Sequence, residues 1–504
     1  MKILFATSEA LPFCKTGGLA DVLGILPRTL RSMGHDVRMV LPRYSTIDSA
    51  RFRLLPMMPE MRVQYGPQTI VGSVLRCPFP GTDMPVYFID EPRLFHREGL
   101  YGNGRVDYPD NDRRFAFFNM AVLWLLKGLD WQPDIIHLND WQSGLVSVLL
   151  RHHPKVRHDA FFAPIRTVFS IHNLSYQGNF DKFLVPAIGL PWSVFTHDGM
   201  EFFGRASFLK AGLVYSDALV AVSPTYSREI QTEELGAGMD GTLRLQAGKL
   251  TGILNGIDTS EWDPARDEHI PANYTAKDLS GKQRCKAALL KEGGLSGGKD
   301  LPLVGMISRI ISAKGFDLIV QRIERMLDLP ARFYILGSGD AELEDALKTA
   351  AEEHPERIAL RIGYEPALSH RIIAGADIFL MPSFYEPCGL TQLYSMRYGT
   401  IPVVHRTGGL SDTVRHATSE SVRRGEGTGF LFGTYSAEDM LETLKGAIRM
   451  YDEEPELWKA LQQNAMRQDF SWERSSAEYE KLYKSLTGFP RIEGPLPEIP
   501  GAQA

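Results

Sequence analysis

The sequence predicts an α/β protein built from two doubly wound domains. Its 504 residues are more than a single hydrophobic core usually holds. Short apolar runs bounded by turn residues recur in both halves of the chain, and helix-length amphipathic segments separate many of them. Because buried parallel strands are nearly continuous apolar runs, this alternation predicts strand–helix–strand units with right-handed crossovers in each half.

The apolar runs predict the strands in chain order. In the first half they are KILFAT, HDVRMVLP, VYFID, DIIHLND, TVFSIHN, ALVAVS and TGILNG, and in the second half LPLVGMIS, ARFYILG, IALRIG, DIFLMPS and IPVVH. The first helix is predicted from helical spacing of apolar residues, namely Leu19, Val22, Leu23, Leu26 and Leu30. Pro27 predicts a kink within that helix.

A segment of little apolar periodicity, TSEWDPARDEHIPANYTAKDLSGKQRCK, follows GILNGID and predicts the domain boundary. The expected domains are an N-terminal one over 1–257, on the acceptor side, and a C-terminal nucleotide-sugar domain over 258–470. A helix over 471–487 is expected to pack back on the N-terminal domain. The tail over 488–504 is rich in proline and glycine and is predicted to be disordered.

Composition excludes several classes of partner. The formal net charge of -6 is unfavourable for a nucleic-acid partner and for an anionic membrane surface. The cysteines Cys14, Cys77, Cys285 and Cys388 are scattered, with neither a CxxC pair nor zinc-finger spacing. This pattern, the lack of a signal-peptide pattern and the lack of a bilayer-length apolar stretch together predict a cytoplasmic protein.

One motif occurs twice: KTGGLAD at 15–21 returns as RTGGLSD at 406–412, each time after an apolar strand. The loop matches neither the G-x-G-x-x-G pattern of dinucleotide-binding proteins nor a P-loop. Two glycines at the carboxyl end of a strand allow a sharp turn and the close approach of a ligand to a helix N-terminus. For either loop alone, an ordinary strand–helix turn is the alternative. The repetition favours a ligand site in a cleft between the domains.

Basic residues follow the first strand of the second half, in SRIISAKGFDL. Arg309 and Lys314 lie where a helix begins, and a guanidinium and an ammonium there suit a pyrophosphate. A solvated basic turn is the alternative.

The segment MPSFYEPCGLTQLYSMRYGTIPVV has an acidic residue beside a predicted helix start. Glu386 can accept hydrogen bonds from sugar hydroxyls, and the N–H groups of Gly389, Leu390 and Thr391, after Cys388, suit a phosphate. Together they indicate a nucleotide-sugar site. The alternative is that Glu386 only complements the helix dipole.

Six motifs in order carry a family resemblance: KTGGLADV, HLNDW, IHNLSYQG, NGID, SRIISAKGFDL and PSFYEPCGLTQLYSMRYGTIPVVHRTGGLSDTV. The chain resembles bacterial glycogen synthases and plant starch synthases from its first strand to about DFSWERSSAEYEKLY. The resemblance implies the GT-B fold, with two Rossmann-like domains facing across a deep cleft. It also implies metal-independent transfer of glucose from ADP-glucose to the nonreducing end of an α-1,4-glucan (glycogen), with retained anomeric configuration and without pyridoxal phosphate.

The resemblance assigns roles to the charged residues. It places Lys15 and Gly18 against the diphosphate or the sugar of the donor. Arg309 and Lys314 are expected to neutralise the departing ADP, and Glu386 to bind glucose hydroxyls. Positive groups and helix-terminal N–H groups would then stabilise the negative charge that develops on the leaving group.

Further roles follow from the same resemblance. The residues 388–391 are expected beside the sugar and the distal phosphate, Tyr364 at the adenine, and Asn255 near the donor. His172 matches the active-site histidine beneath the anomeric carbon, and Asp140 matches an aspartate near the acceptor. The alternatives are a strand-end histidine satisfied by the backbone and an aspartate that only caps the following helix.

Two positions depart from patterns seen in related enzymes. Many retaining GT-B enzymes have a second glutamate eight positions after the first, and here that position is Tyr394. The family often has histidine where this chain has Asn139. No carboxylate nucleophile is therefore predicted, and a front-face substitution, in which the leaving phosphate takes the proton of the acceptor, is favoured over double displacement.

Four other functions are alternatives to this prediction. A UDP-glucose-dependent synthase fits the same motifs, whereas a catalytically inactive glucan-binding protein would be expected to lack the charged donor residues. A glucan phosphorylase needs a Schiff-base lysine that the sequence does not place. An NAD-dependent oxidoreductase needs the missing G-x-G-x-x-G.

Overall fold

A computed structural model describes residues 1–104, 106–295 and 300–488 as two compact units. The first unit comprises Met1–Val220, Gly241–Leu250 and the described residues from Ser476 onward. The second unit comprises Ala221–Asp240 and Thr251–Ser475. The predicted tail lies outside the described residues except for Gly488. As limits of folding domains, the boundaries at 257 and 470 stay predictions.

The first half of the chain forms a set of parallel strands and one long antiparallel hairpin. Its strands are β1 Lys2–Ala6, β2 Asp36–Pro42, β3 Leu55–Tyr65, β4 Gln68–Pro78, β5 Pro85–Asp90, β6 Ile135–Asn139, β7 Arg166–Ile171, β8 Asn179–Phe180, β9 Glu201–Phe202, β10 Arg205–Ser207, β11 Ala218–Ala221 and β12 Leu250–Gly252. Nine of them form one sheet in the order β12-β11-β7-β6-β1-β2-β5-β4-β3. Strand β1 pairs in parallel with β2 and with β6, so the strand order reverses between β1 and β6.

The second half contains β13 Leu303–Ile307, β14 Arg332–Gly337, β15 Ile358–Ile362, β16 Ile378–Met381, β17 Ile401–His405 and β18 Phe430–Phe432. They form a parallel sheet in the order β15-β14-β13-β16-β17-β18. This is the strand order of a doubly wound nucleotide-binding domain, and its direction changes between β13 and β16. Nearly every residue of these strands is buried, which explains their continuous apolar sequence.

The helices are α1 Gly18–Ser32, α2 Pro92–Phe95, α3 Asn111–Gly128, α4 Leu145–His152, α5 Leu184–Ala187, α6 Phe208–Tyr215, α7 Pro224–Glu229, α8 Asp240–Leu245, α9 Ser280–Glu292, α10 Phe316–Gln321, α11 Ile323–Leu327, α12 Ala341–Glu353, α13 Pro366–Gly375, α14 Thr391–Arg397, α15 Gly408–Thr413, α16 Ser419–Arg423, α17 Ala437–Glu453, α18 Pro455–Met466 and α19 Trp472–Thr487. Helix α1 continues through Pro27, which lies within it. Within the described residues, no helix is long and apolar enough to cross a membrane. The cytoplasmic location stays a prediction.

Three features of the fold are not among those predicted from the sequence. The β3–β4 hairpin pairs antiparallel at the edge of the first sheet, where Pro56 and Pro59 interrupt its apolar pattern. The short strands β8, β9 and β10 form a separate small sheet. The residues 221–240, expected in the first domain, group with the second unit because Ser223, Thr225 and Glu229 form hydrogen bonds there.

Candidate active site

The carboxyl ends of the strands in the second unit bring most of the predicted donor residues to one edge of its sheet. Arg309 and Lys314 follow β13, and Glu386 follows β16. Strands β13 and β16 are neighbours, and the strand order reverses between them. In open α/β sheets this reversal opens a crevice where ligands bind. The predicted donor residues therefore lie at the position that the topology favours for a ligand.

Lys314 and Glu386 form an ion pair within this crevice. Lys314 Nζ donates to Glu386 Oε2 at 2.6 Å, and the Ser383 hydroxyl donates to the same oxygen at 3.0 Å. Glu386 is only 8% exposed, whereas the Lys314 side chain is 21% exposed. The carboxylate is buried, whereas its lysine partner is partly exposed. A ligand at this edge of the sheet can therefore approach the lysine. The glutamate predicted for the sugar and the lysine predicted for the phosphate are thus adjacent.

Gly315 explains how the lysine loop approaches the segment after β16. Its φ is +81°, and a Cβ atom would lie 2.1 Å from the carbonyl oxygen of Pro382. The Phe384 N–H donates to the Ala313 carbonyl at 3.1 Å across the same contact. Only glycine permits both the left-handed conformation and this approach. The glycine of SAKGF therefore sets the distance between Lys314 and Glu386.

Arg309 is exposed. The loop that contains it is hydrogen-bonded to the turn after β14, a contact that the sequence did not predict. The Ile310 N–H donates to the Ser338 carbonyl at 2.9 Å, and the Asp340 N–H donates to the Ile310 carbonyl at 2.8 Å. A Cβ atom at Gly339 would lie 2.1 Å from the carbonyl oxygen of Ile310. The GSG turn after β14 therefore holds the backbone beside Arg309 and is a positioning element missed from sequence.

Cys388 and Asn255 contact each other rather than standing apart in the site. Burial raises the pKa of the Cys388 thiol to about 12, although hydrogen bonds from the backbone and side chain of Asn255 act in the opposite direction. The thiol therefore stays protonated at neutral pH and is not a nucleophile. Asn255 Oδ1 is buried and has no hydrogen-bond partner among the described residues.

The turn that opens α14 offers backbone donors. Gly389 has φ +71°, and Gln392 Nε2 donates to the carbonyl oxygens of Cys388 and Gly389 at 3.1 and 3.0 Å. In the described part of the chain, the N–H groups of Gly389 and Leu390 have no hydrogen-bond acceptor. Thr391 is the first residue of the helix, and its hydroxyl contacts the Met381 sulfur at 3.4 Å. Gln392, which was not predicted as a site residue, binds these two carbonyl oxygens and so helps to fix the turn.

Tyr364 lies beyond the end of the edge strand β15 and is 73% exposed. A ring so exposed is not required by the core, which is compatible with stacking on a planar ligand. Its role at an adenine stays a prediction.

Tyr394 occupies the position of the second acid and belongs to the core. Its ring stacks on Trp262 at 3.9 Å, and Trp262 stacks in turn on His370 at 3.8 Å, with 10° between planes in both cases. The structure therefore replaces the second carboxylate with an aromatic packing residue.

In the first unit, a buried glutamate organises the loop that begins α1. The Thr16 hydroxyl donates to Glu9 Oε1 at 2.6 Å, the Gly17 N–H donates to Oε2 at 3.2 Å, and the Thr16 N–H also donates to Oε2. These N–H groups are therefore not free for a ligand, contrary to the simple helix-terminus expectation. Lys15 is exposed and pairs with Asp21 at 2.7 Å. A Cβ atom at Gly18 would meet no atom within 4 Å, so open space borders the loop.

Asn139 and His172 are joined by a side-chain hydrogen bond. Asn139 Nδ2 donates to the Ala6 carbonyl at 3.2 Å, which turns Oδ1 toward His172 Nε2 at 3.0 Å. The histidine therefore donates from Nε2 and keeps Nδ1 unprotonated. Burial lowers the pKa of His172 to about 3, so the ring is neutral. The asparagine that departs from the family pattern sets the tautomer of the predicted catalytic histidine.

Asp140 does not act as a helix cap. Its Oδ1 accepts from the His172 N–H at 2.8 Å, and no side-chain hydrogen bond caps the following turn. Its backbone has φ +53° and ψ -175°, a conformation rare for a residue other than glycine. Such strain is typical of functional sites. Asp140, Asn139 and His172 thus form one cluster at the carboxyl ends of β6 and β7.

We expect Asp140→Asn to stabilise the protein at high pH. Burial raises the pKa of Asp140 from 3.8 to about 7, against the opposing effect of hydrogen bonds from the backbone of His172 and Asn173. Because the folded-state pKa is raised, the stabilising contribution of the proton is complete below the unfolded pKa and is lost as the pH rises through about 7. Urea unfolding at pH 8.5 should show a gain of at most about 4 kcal/mol. At pH 5 the two proteins should differ much less.

The exposed Asp107→Asn is the control for this measurement. A destabilised Asp140→Asn protein at pH 8.5, or a gain that is the same at both pH values, would contradict the expected ionisation of the buried carboxyl.

The comparisons with known proteins agree with this architecture. Residues 2–245 match the starch synthase catalytic domain family, and residues 295–468 match glycosyl transferases group 1. The catalytic domain of starch synthase IV from Arabidopsis thaliana, solved bound to ADP and acarbose, superposes with a TM-score of 0.88 at 34% identity. That match covers 97% of this chain and 99% of the other. Two Rossmann-like units of this kind define a GT-B glycosyltransferase, and the predicted fold class is confirmed.

Two relatives show to which family of glycosyltransferases the chain belongs. Glycogen synthase of Anaeromyxobacter sp. (strain Fw109-5) is 50% identical over 487 residues, covering 96% of this chain and 99% of the relative. Glycogen synthase of Koribacter versatilis (strain Ellin345) is 44% identical over 500 residues, covering 99% and 100%. The chain belongs to the glycogen synthase family and is a glucosyltransferase, which confirms the resemblance and the enzyme class predicted from sequence.

Proposed function

We propose that the protein transfers glucose from ADP-glucose to the nonreducing end of an α-1,4-glucan, with retention of the anomeric configuration and without a metal. The observation that supports this most is the Lys314–Glu386 pair at the strand-order reversal of the second sheet. A carboxylate beside an ammonium suits a donor that has hydroxyls next to a diphosphate.

The cationic residues provide the charge stabilisation that the reaction needs. Cleavage of the sugar–phosphate bond leaves negative charge on the diphosphate, and Arg309, Lys314 and Lys15 are proposed to oppose it. The N–H groups of Gly389 and Leu390 add preorganised dipoles to this environment. Because fixed positive side chains perform this function, a divalent cation is not required by the proposal.

The neutral state of His172 suits a site beneath the anomeric carbon. A sugar that loses its leaving group acquires positive charge, which a protonated imidazole would repel. The low pKa of His172 keeps the ring uncharged, and Asn139 fixes its orientation. Asp140, beside it, is proposed to lie near the acceptor.

Retention is proposed to proceed by front-face substitution. Double displacement needs a carboxylate nucleophile, and the position eight residues after Glu386 has Tyr394 stacked on Trp262. The leaving phosphate oxygen would accept the proton of the acceptor hydroxyl while the new glycosidic bond forms on the same face.

Chain extension with each donor tests the proposal. Purified protein is incubated with a maltooligosaccharide and either ADP-glucose or UDP-glucose, with EDTA in parallel reactions. We expect longer α-1,4-linked products with ADP-glucose and undiminished rates in EDTA. Faster extension with UDP-glucose would favour the alternative donor. Loss of activity in EDTA that Mg²⁺ restores would overturn metal independence, and nucleotide release without extension would argue against a synthase.

A further inference from the structure

The two halves of the internal repeat share an arrangement that their sequences do not include. In the first unit, Glu9 accepts from the hydroxyl and N–H of Thr16 and from the N–H of Gly17. In the second unit, Glu229 accepts from the Thr407 hydroxyl at 3.2 Å and from the Gly408 N–H at 3.0 Å with each of its oxygens. Equivalent threonine and glycine residues therefore donate to a carboxylate in both units.

We propose that Glu9 and Glu229 are a matched pair of positioning residues that fix the loops at 16–18 and 407–409. This inference rests on the proposed function, because it assumes that these loops serve the donor site. Neither carboxylate is proposed to contact a substrate.

The two glutamates lie at different distances along the chain from their loops, so local turn geometry does not explain the shared arrangement. Glu9 precedes Thr16 by seven residues, whereas Glu229 ends α7 and lies 178 residues before Thr407. Two different chain paths thus bring a carboxylate to the same two donors. Because the loops share the sequence Thr-Gly-Gly, the donors are common and the acceptor is supplied independently in each unit.

Glu229 acts on the predicted sugar-binding residue through the backbone. Gly408 has φ +41°, and a Cβ atom there would lie 2.0 Å from the carbonyl oxygen of Glu386. The Gly409 N–H donates to that carbonyl at 3.1 Å, and the Ser223 hydroxyl donates to the Pro387 carbonyl at 2.7 Å. The loop at 407–409, which Glu229 holds, therefore packs directly against the backbone of Glu386.

Glu9 is 3% exposed and is held by neutral donors, with the Tyr101 hydroxyl as a further one at 2.6 Å. Its oxygens accept from several donors at once, whereas a glutamine has one acceptor oxygen and no charge. Glu9→Gln and Glu229→Gln are consequently nearly isosteric changes that replace charge-assisted hydrogen bonds to the loops with weaker neutral ones. Hydrogen bonds to a charged group are among the stronger ones, so loop order should be lost measurably.

The test compares Glu9→Gln and Glu229→Gln with the exposed controls Glu98→Gln and Glu233→Gln. For both test variants we expect kcat/KM for the nucleotide-glucose to fall about 10- to 100-fold, with the KM for glucan within about twofold. Hydrogen exchange should accelerate around 14–19 only in Glu9→Gln, and around 386–391 and 405–410 only in Glu229→Gln. Unchanged exchange in these peptides, or donor kinetics equal to the controls, overturns the inference.

A milder variant keeps the test decisive if Glu229→Gln does not fold. Thr407→Val removes one donor to Glu229 and conserves the buried shape. It should speed exchange at 405–410 and lower donor kcat/KM, whereas normal values for both overturn the role of Glu229. Failure of the proposed function is distinct, since it appears as a wild-type protein that extends no glucan with either nucleotide-glucose.

Discussion

Lys314→Ala is expected to lower kcat about 100- to 1,000-fold, the usual cost of removing one preorganised group that stabilises developing charge. Lys314 Nζ lies 2.6 Å from Glu386 Oε2, and its side chain remains partly exposed at the carboxyl edge of the sheet. Alanine removes the ammonium that is proposed to face the departing diphosphate and leaves the Glu386 carboxylate with the Ser383 hydroxyl alone among its described partners. Steady-state kinetics with ADP-glucose and a maltooligosaccharide measure the change.

Lys348→Ala is the matched control, because Lys348 lies on the surface of the same unit and, among the described residues, pairs with exposed or partly exposed acids of its own helix. It should change kcat by less than about twofold, as surface ion pairs contribute little. Circular dichroism should show both variants folded. A Lys314→Ala enzyme with near-normal kcat would remove the lysine from the mechanism.

The regular parts of the fold were predictable because a parallel strand that is buried on both faces has a nearly continuous apolar sequence. Strands β13, β14, β16 and β17 are buried along almost their whole length, consist mainly of apolar residues and coincide with predicted runs. The β3–β4 hairpin has one partly exposed face and prolines at the sheet edge, so its residues do not form such a run. Segment 221–240, expected in the first domain, groups with the second unit and contacts residues far along the chain, such as Asp412, which accepts from the Thr225 N–H.

The candidate site divides in the same way. Residues at strand ends, such as Glu386 and Lys314 in the second unit and His172 in the first, could be predicted because topology gathers strand ends at one edge of each sheet. The residues that hold them could not, because acceptors such as Glu229 for Gly408 are far away in sequence. The repeated Thr-Gly-Gly sequence shows that the same hydrogen-bond donors occur in both loops. It does not show which residue accepts from them.

The glycines of the repeat show how identical sequence can serve different physical needs. In the loop at 407–409, Cβ atoms at Gly408 and Gly409 would lie 2.0 and 2.1 Å from the carbonyl oxygens of Glu386 and Cys388. In the loop at 16–18, Cβ atoms would meet no atom within 4 Å, and Gly17 has an extended φ of -152°. The second pair of glycines is therefore required by packing. The first is not, which leaves room beside the loop for a ligand.

Glu386→Gln is expected to lower kcat by a similar factor, about 100- to 1,000-fold, and the double variant Lys314→Ala/Glu386→Gln to be little worse than either single variant. The two side chains form one ion pair in one crevice, so the first substitution already disrupts the group on which the second acts. The cycle is measured as kcat/KM for ADP-glucose in all four proteins, with thermal unfolding to confirm that each is folded.

The exposed pair Lys445 and Glu442 provides the control cycle, since its atoms lie 2.7 Å apart on the surface of α17. Its single and double variants should all retain wild-type kinetics. Additive losses at Lys314 and Glu386, with the double variant reduced by the product of the two single factors, would mean that the lysine and the glutamate act on the donor independently. The ion pair would then not couple the contact of the lysine with the phosphate to the contact of the glutamate with the sugar.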